Sequence, residues 1–164
     1  MSLPLSAIRN TSAGPSQLRL EVDVAAPVER TWAAAMDWHR QREWMLATRV
    51  RPTVGGGHGV GGRIEATTGI GPLGLVDEME ITGWDPPHGA YVKHLGRLVR
   101  GRAAFEVRPR PGGSTFVWTE DLDLPLGAAG VLGFRLVRPL IGYGLRLSMR
   151  RFAAWAPEYV GATG

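Results

Sequence analysis

The chain has 164 residues and no cysteine. That excludes disulfides, thiol nucleophiles and cysteine-ligated zinc. Lysine is nearly as scarce, because Lys93 is the only one among 19 Lys and Arg residues. The formal charge of +4 is therefore carried by arginine. We read it as a solvated basic surface and expect no nucleic-acid partner. An uninterrupted apolar run is missing too. The most hydrophobic stretch, LGFRLVRPLIGYGLRLSMRRF (132–152), contains Arg135, Arg138, Arg146, Arg150 and Arg151. Each Arg near a bilayer centre costs about 2.5 kcal/mol or more, so no stable membrane insertion is expected. The start, MSLPLSAIRNTSAGPS, lacks an apolar core followed by a small-residue cleavage site. It reads as a disordered tail (1–16) ahead of one domain (17–160), in a cytoplasmic protein. The Asn10-Thr11-Ser12 sequon then carries little meaning. His39, His58, His88 and His94 show no ligand spacing with carboxylates, so no metal and no cofactor is expected. No serine sits in a nucleophile motif, and Ser148 falls in a helix.

What is present is alternation. In LRLEVDV (18–24), Leu18, Leu20, Val22 and Val24 oppose Arg19, Glu21 and Asp23, which predicts a half-buried strand. Pro27 suits the first position of a helix over VERTWAAAMDW, and a second short helix is predicted near 39–46. The glycine-rich PTVGGGHGVGG (52–62) formally contains G-x-G-x-x-G at Gly57, Gly59 and Gly62. A strand pattern, RIEATTGI, follows it rather than a helix, so it reads as a loop and not a dinucleotide site. Further strands are predicted over 75–84, 90–95, 98–109 and 114–124, separated by Asp85-Pro86-Pro87 and Pro111-Gly112-Gly113 turns. Hairpin-linked strands with segregated helices predict an α+β architecture built on an antiparallel sheet.

The arginine-rich stretch reads as a long C-terminal helix of about 28 residues, about 40 Å long. At 100° per residue Arg135, Arg138, Arg146 and Arg150 share one arc. Leu136, Val137, Leu140, Ile141, Leu147, Phe152 and Trp155 cover much of the rest. Pro139 should kink it. Gly133 and Gly144 lie near the centre of the apolar arc, where they permit either close backbone packing or a cavity. Arg151 falls on the apolar arc, apart from the other arginines. It either snorkels at the helix end or points into a pocket. Glu120 shares a strand face with Phe116, Trp118, Leu122 and Leu124. It is either turned outward by a twist or held inward as a paired charge, with Arg151 as the candidate partner.

Several segments, taken in order, carry a resemblance. They are VDVAAPVERTWAAAMDWHRQREW with Trp32 and Trp44, Gly-Val-Gly-Gly-Arg at 59–63, Trp84-Asp85-Pro86-Pro87, the Gly-Gly-Ser-Thr hairpin before Phe116-Val117-Trp118, and the long final helix. Spanning residues 18 to about 156, this pattern resembles the SRPBCC superfamily, also called START-like or helix-grip proteins, in its polyketide cyclase/dehydrase branch. The resemblance implies a curved antiparallel sheet gripping the final helix, with a cavity between them for a lipid-, sterol- or polyketide-like molecule.

With the apolar helix arc, this points to a cavity walled by the final helix and strands 90–95, 98–109 and 114–124. From the sheet we expect Met79, Ile81, Tyr91, Phe105, Trp118, Glu120 and Leu122 to line it. From the helix we expect Leu140, Gly144, Leu147 and Arg151. The leading reading is a binder of a hydrophobic small molecule. A cyclase or dehydratase would need a cavity acid or base, for which Glu120, His94, Tyr91 and Arg151 are the candidates. A membrane-surface or regulatory module would use the basic helix face. A homodimer is left open.

Overall fold

A computed structural model describes residues 4, 7–14, 16–69, 74–97, 99–123 and 127–161, without the side chains of 127–131, 134 and 137. Leu98, Leu124, Pro125, the side chain of Val137 and most of residues 1–6 therefore lie outside the described residues. Eight antiparallel strands form one curved sheet. They are β1 (Arg9–Asn10), β2 (Gln17–Val24), β3 (Thr48–Val54), β4 (Arg63–Thr68), β5 (Leu75–Asp85), β6 (Gly89–His94), β7 (Gly101–Arg110) and β8 (Gly113–Leu122). Their spatial order is β1-β2-β8-β7-β6-β5-β4-β3. The run from β3 to β8 is a meander, and β2 joins it by pairing with β8. Helix α1 (Val28–Met36) and a 3-10 turn (Trp38–Glu43) connect β2 to β3, and α2 (Gly127–Trp155) follows β8. This is the antiparallel α+β architecture that the alternation predicts, in the helix-grip form that the resemblance implies.

Register sets which side chains meet on the inner face. Met79 lies opposite His94, Val92 opposite Ala103, Ala103 opposite Glu120, and Phe105 opposite Trp118. Because side chains alternate along a strand, each of these residues shares its face with residues two positions away. The face therefore carries Asp77, Met79 and Ile81 on β5, Ala90, Val92 and His94 on β6, and Trp118, Glu120 and Leu122 on β8. A register shift between Ile81 and Gly83 changes the parity of β5. That shift turns Trp84 against Trp32, with ring centroids 5.2 Å apart.

Three expectations change. The glycine-rich loop begins later than expected, because Thr48–Val54 is a strand. Thr48 and Val50 are buried and alternate with Arg49 and Arg51, while Pro52 hides the pattern. Strand β3 is an edge strand, where a missing N–H is tolerated. The packed chain also begins before residue 17. Ile8 is buried, β1 pairs with β2, and Arg9 donates to both Asp23 carboxylate oxygens at 2.9 and 3.2 Å. Finally, α2 is one continuous helix with Pro139 inside it, and among its described side chains the buried ones lie mainly toward the C-terminal end, which narrows the expected apolar arc. Ser148, Met149, Phe152 and Ala153 are buried, whereas Leu136 and Leu140 are exposed. The expected apolar arc is wider than the strip that meets the sheet. Arg138 donates to the Gln17 carbonyl at 3.0 Å, which anchors the basic side of α2 along β2.

The glycine-rich segment is used structurally. Gly57 has φ +70, and an added Cβ would lie 2.7 Å from both the Trp38 indole nitrogen and Ile64. The Trp38 indole N–H donates to the Gly57 carbonyl at 2.7 Å. This loop therefore closes over Trp38, as only glycine allows.

Candidate functional site

The inner face of the sheet is filled at one end and hollow at the other. At the filled end Trp44, Phe116 and Phe152 are fully buried, with Phe152 4.9 Å from Trp44 and 4.4 Å from Phe116 between ring centroids. Toward the other end the side chains shrink. Ala103 lines this end from β7 and Gly144 lines it from α2. A Cβ at Gly144 would meet nothing closer than Leu46 at 3.9 Å. The result is a cavity of about 440 Å³. Its helix wall is Ile141, Gly144, Leu145 and Ser148, and its sheet wall includes Met79, Phe105, Trp118 and Leu122. Leu46, Leu75 and Ile141 line it while remaining partly exposed to solvent. Ser148 is committed to structure, donating to the Gly144 carbonyl and accepting from the Leu46 N–H at 2.9 Å.

One charged cluster interrupts this mostly apolar lining. The His94 side chain is 4% exposed and sits between two carboxylates. Its Nδ1 lies 2.7 Å from Asp77 Oδ2, and its Nε2 lies 3.1 Å from Glu120 Oε2. The Trp118 indole N–H donates to the other Glu120 oxygen at 2.8 Å. Burial alone would push the His94 pKa down. The hydrogen bonds and charges of Asp77 and Glu120 outweigh burial and raise it from 6.5 to about 10. Both ring nitrogens then donate, which no neutral tautomer can do. Two carboxylates against one imidazolium leave a negative charge at this wall. Asp77 Oδ1 stays buried with no hydrogen-bond partner among the described residues.

The expected site residues divide. Met79, Phe105, Trp118, Glu120, Leu122, Gly144 and His94 all line the cavity. Ile81 shares their sheet face but is sealed in the core. Tyr91 is 43% exposed on the outer face, where its ring covers Gly83 and Gly89, because Ala90, Val92 and His94 take the inner positions of β6. Leu140 is 75% exposed, since it lies about 100° around the helix from cavity-lining Ile141. Leu147 is half-buried and outside the lining. The expected Glu120–Arg151 pair does not form. Glu120 does point inward, but its partners are His94 and Trp118. Arg151 lies past the cavity, exposed over the 42–49 segment. Asp77 was not anticipated, although it has the same parity as Met79 and Ile81. Ala90-x-Val92-x-His94 likewise places His94 inside.

Both imidazole nitrogens are taken by carboxylates, which leaves no free nitrogen for a metal. Among the described residues no group of His, Asp and Glu forms a metal-binding cluster. No described helix is long and apolar enough to cross a membrane.

A curved sheet closed by a C-terminal helix over an apolar cavity defines a helix-grip protein of the SRPBCC type. A family model described as "Polyketide cyclase / dehydrase and lipid transport" matches residues 16–156, and the chain belongs to that family. No curated protein matches the chain by sequence. Among solved structures, a Rhodobacter sphaeroides protein superposes with a TM-score of 0.70 at 18% identity, covering 93% of this chain and 99% of that one. A Thermus thermophilus protein gives 0.68 at 17% identity, covering 85% and 96%. A di-domain ARO/CYC from the steffimycin biosynthetic pathway gives 0.64 at 16% identity, covering 87% of this chain and 51% of that one. At these identities the likeness establishes the fold alone.

Proposed function

We propose that this protein binds a hydrophobic small molecule, lipid-, sterol- or polyketide-like, between α2 and the sheet. The observation that carries the reading is the cavity itself. Its 440 Å³ falls within the range typical of small-molecule sites, about 300–1,000 Å³. Its wall is mostly apolar, with the charged groups gathered around His94 and neutral polar side chains at Gln41, Thr48, Thr68 and Ser148. Burying an apolar molecule there releases the water-facing surface of both partners. The cluster then orients the molecule, since a few fixed polar groups in an apolar pocket set which way a ligand lies.

A second reading, a cyclase- or dehydratase-type enzyme, is favoured by one observation: His94 and Glu120 face a space large enough for a substrate. Their chemistry there is constrained. An imidazolium held near pKa 10 by two carboxylates is a poor proton donor at neutral pH and has no lone pair to act as a base. Both of its N–H groups are already donated to Asp77 and Glu120, so neither is free to meet a developing oxyanion. Tyr91 and Arg151 lie outside the cavity and are not part of this second reading.

Native mass spectrometry of the protein purified from its own host tests the binding reading. A discrete non-covalent adduct, released by organic solvent as an apolar compound, is the expected result. A bare chain that also takes up no apolar compound on titration would reject it.

A further inference from the structure

Arg151, the arginine out of register with the others on its helix, has no role in the cavity. It lines a separate groove of about 760 Å³ together with Arg42 and Arg49. Among the described residues lining it, the one carboxylate belongs to Glu43, whose Oε1 lies 3.8 Å from Arg42 Nε. Arg49 and Arg151 have neither an ion pair nor a side-chain hydrogen bond among the described residues. The sheet register explains why. Arg51 faces Glu65 across β4 and bonds it at 2.9 Å, whereas Arg49 faces Thr67, which can offer a hydroxyl but no charge. Thr67 lines the same groove.

The groove adjoins the cavity. Met45, Ala47 and Thr48 line both spaces. The boundary segment is held in an unusual conformation. Ala47 has φ +51, in the left-handed region that non-glycine residues seldom adopt. Hydrogen bonds hold the segment around it, including one from the Thr48 hydroxyl to the Leu46 carbonyl at 3.0 Å. The Gly69 N–H donates to the Ala47 carbonyl at 2.9 Å, and the Leu46 N–H donates to Ser148 Oγ.

We infer that the groove formed by Arg42, Arg49 and Arg151 binds the anionic group, a carboxylate or a phosphate monoester, of an amphiphile whose apolar body occupies the cavity. This rests on the binding reading above and adds the ligand's charge to it. A guanidinium presents a planar fork of N–H donors that matches the oxygens of either group, and neither Arg49 nor Arg151 would have to give up an existing partner. The negative cluster around His94 lies on the cavity wall and the positive groove lies beside the cavity. The anionic end of a ligand is thus repelled from one and drawn to the other.

The test uses three ten-carbon probes, decanol, decanoate and decyl phosphate, titrated against the tryptophan fluorescence of the full chain. The wild type should bind both anions at least about tenfold tighter than decanol, the size of one charge-assisted hydrogen bond. That advantage should shrink in high salt, because exposed charges are screened. An Arg49→Met, Arg151→Met double variant should lose the advantage and keep its decanol affinity. A preference between decanoate and decyl phosphate would identify the headgroup. Equal affinity for all three probes, or an advantage that survives the double substitution, overturns the inference. If no probe binds, the cavity reading fails, and inorganic phosphate alone decides the groove. Arginine Nε–H NMR signals that shift in the wild type and not in the variant would retain the anion site. Signals that stay fixed would eliminate it.

Discussion

The two ends of the inner sheet face are made from the same strands and closed by the same helix, yet one is solid and the other hollow. Where β8 carries Phe116 and α2 carries Phe152, Trp44 closes the remaining gap and no space is left. Where β7 carries Ala103 and α2 carries Gly144, a cavity remains between them. Small residues on both layers, Ala103 and Gly144, mark the end that stays open. The cost of the void falls on stability, since lining atoms lose dispersion partners on one side. The solid end must then supply the cohesion that the hollow end gives up.

Substitutions can break this comparison. The largest stability effect is expected for Phe152→Ala. It should destabilise the fold by about 3–5 kcal/mol, because the vacated volume lies among rigid rings that cannot collapse into it. Chemical denaturation measures this; a loss under about 1 kcal/mol would show that the aromatic cluster is not the anchor.

Next is His94→Ala. Removing the imidazolium leaves Asp77 and Glu120 facing each other without a countercharge. Breaking a buried ionic cluster costs about 3–5 kcal/mol at full burial. The carboxylates here keep 14% and 16% of their side-chain exposure, so the lower end, about 3 kcal/mol, is expected. The pH dependence sharpens the point. The folded pKa of about 10 lies above the unfolded 6.5, so His94 contributes its full stabilisation below pH 6.5. That contribution falls as pH rises toward 10. Denaturant midpoints between pH 6.5 and 10 should show a slope in the wild type that His94→Ala lacks. An identical slope in both proteins would mean that His94 is neutral.

The smallest stability effect belongs to Arg151→Met, about 0.5 kcal/mol or less, because this arginine is exposed and unpaired. Combined with Glu120→Gln, it should be additive in thermal unfolding. A coupling energy above about 0.5 kcal/mol would reinstate the pair that the geometry separates.

The strands of the meander were legible because alternation is a direct consequence of the pleat, and it placed Phe105, Trp118 and Glu120 on the correct face. Strand β3 was not legible, since Pro52 and the adjoining glycines look like a loop unless the strand is known to be an edge. The long helix was legible as a helix, but its buried strip was not. Leucine at 136 and 140 looks the same in sequence whether it meets a sheet or water. Inward placement of Glu120 left its partner undecided, because pairing across β5, β6, β7 and β8 depends on register. Register made the partner His94, from β6, rather than Arg151, from the helix. Asp77 shows the converse. Its parity with Met79 and Ile81 was on the page, but an acidic residue in a strand with two outward glutamates reads as a third.

Titration of an uncharged apolar fluorophore, N-phenyl-1-naphthylamine, into the wild type and a Gly144→Leu variant tests the hollow end most directly. Leucine at 144 enters open space and replaces a helix-interior glycine. Stability should hold or rise by up to about 1 kcal/mol. The account predicts saturable single-site enhancement in the wild type and loss of it in a variant that is at least as stable. Undiminished binding in Gly144→Leu, or no saturable binding in the wild type, would contradict it.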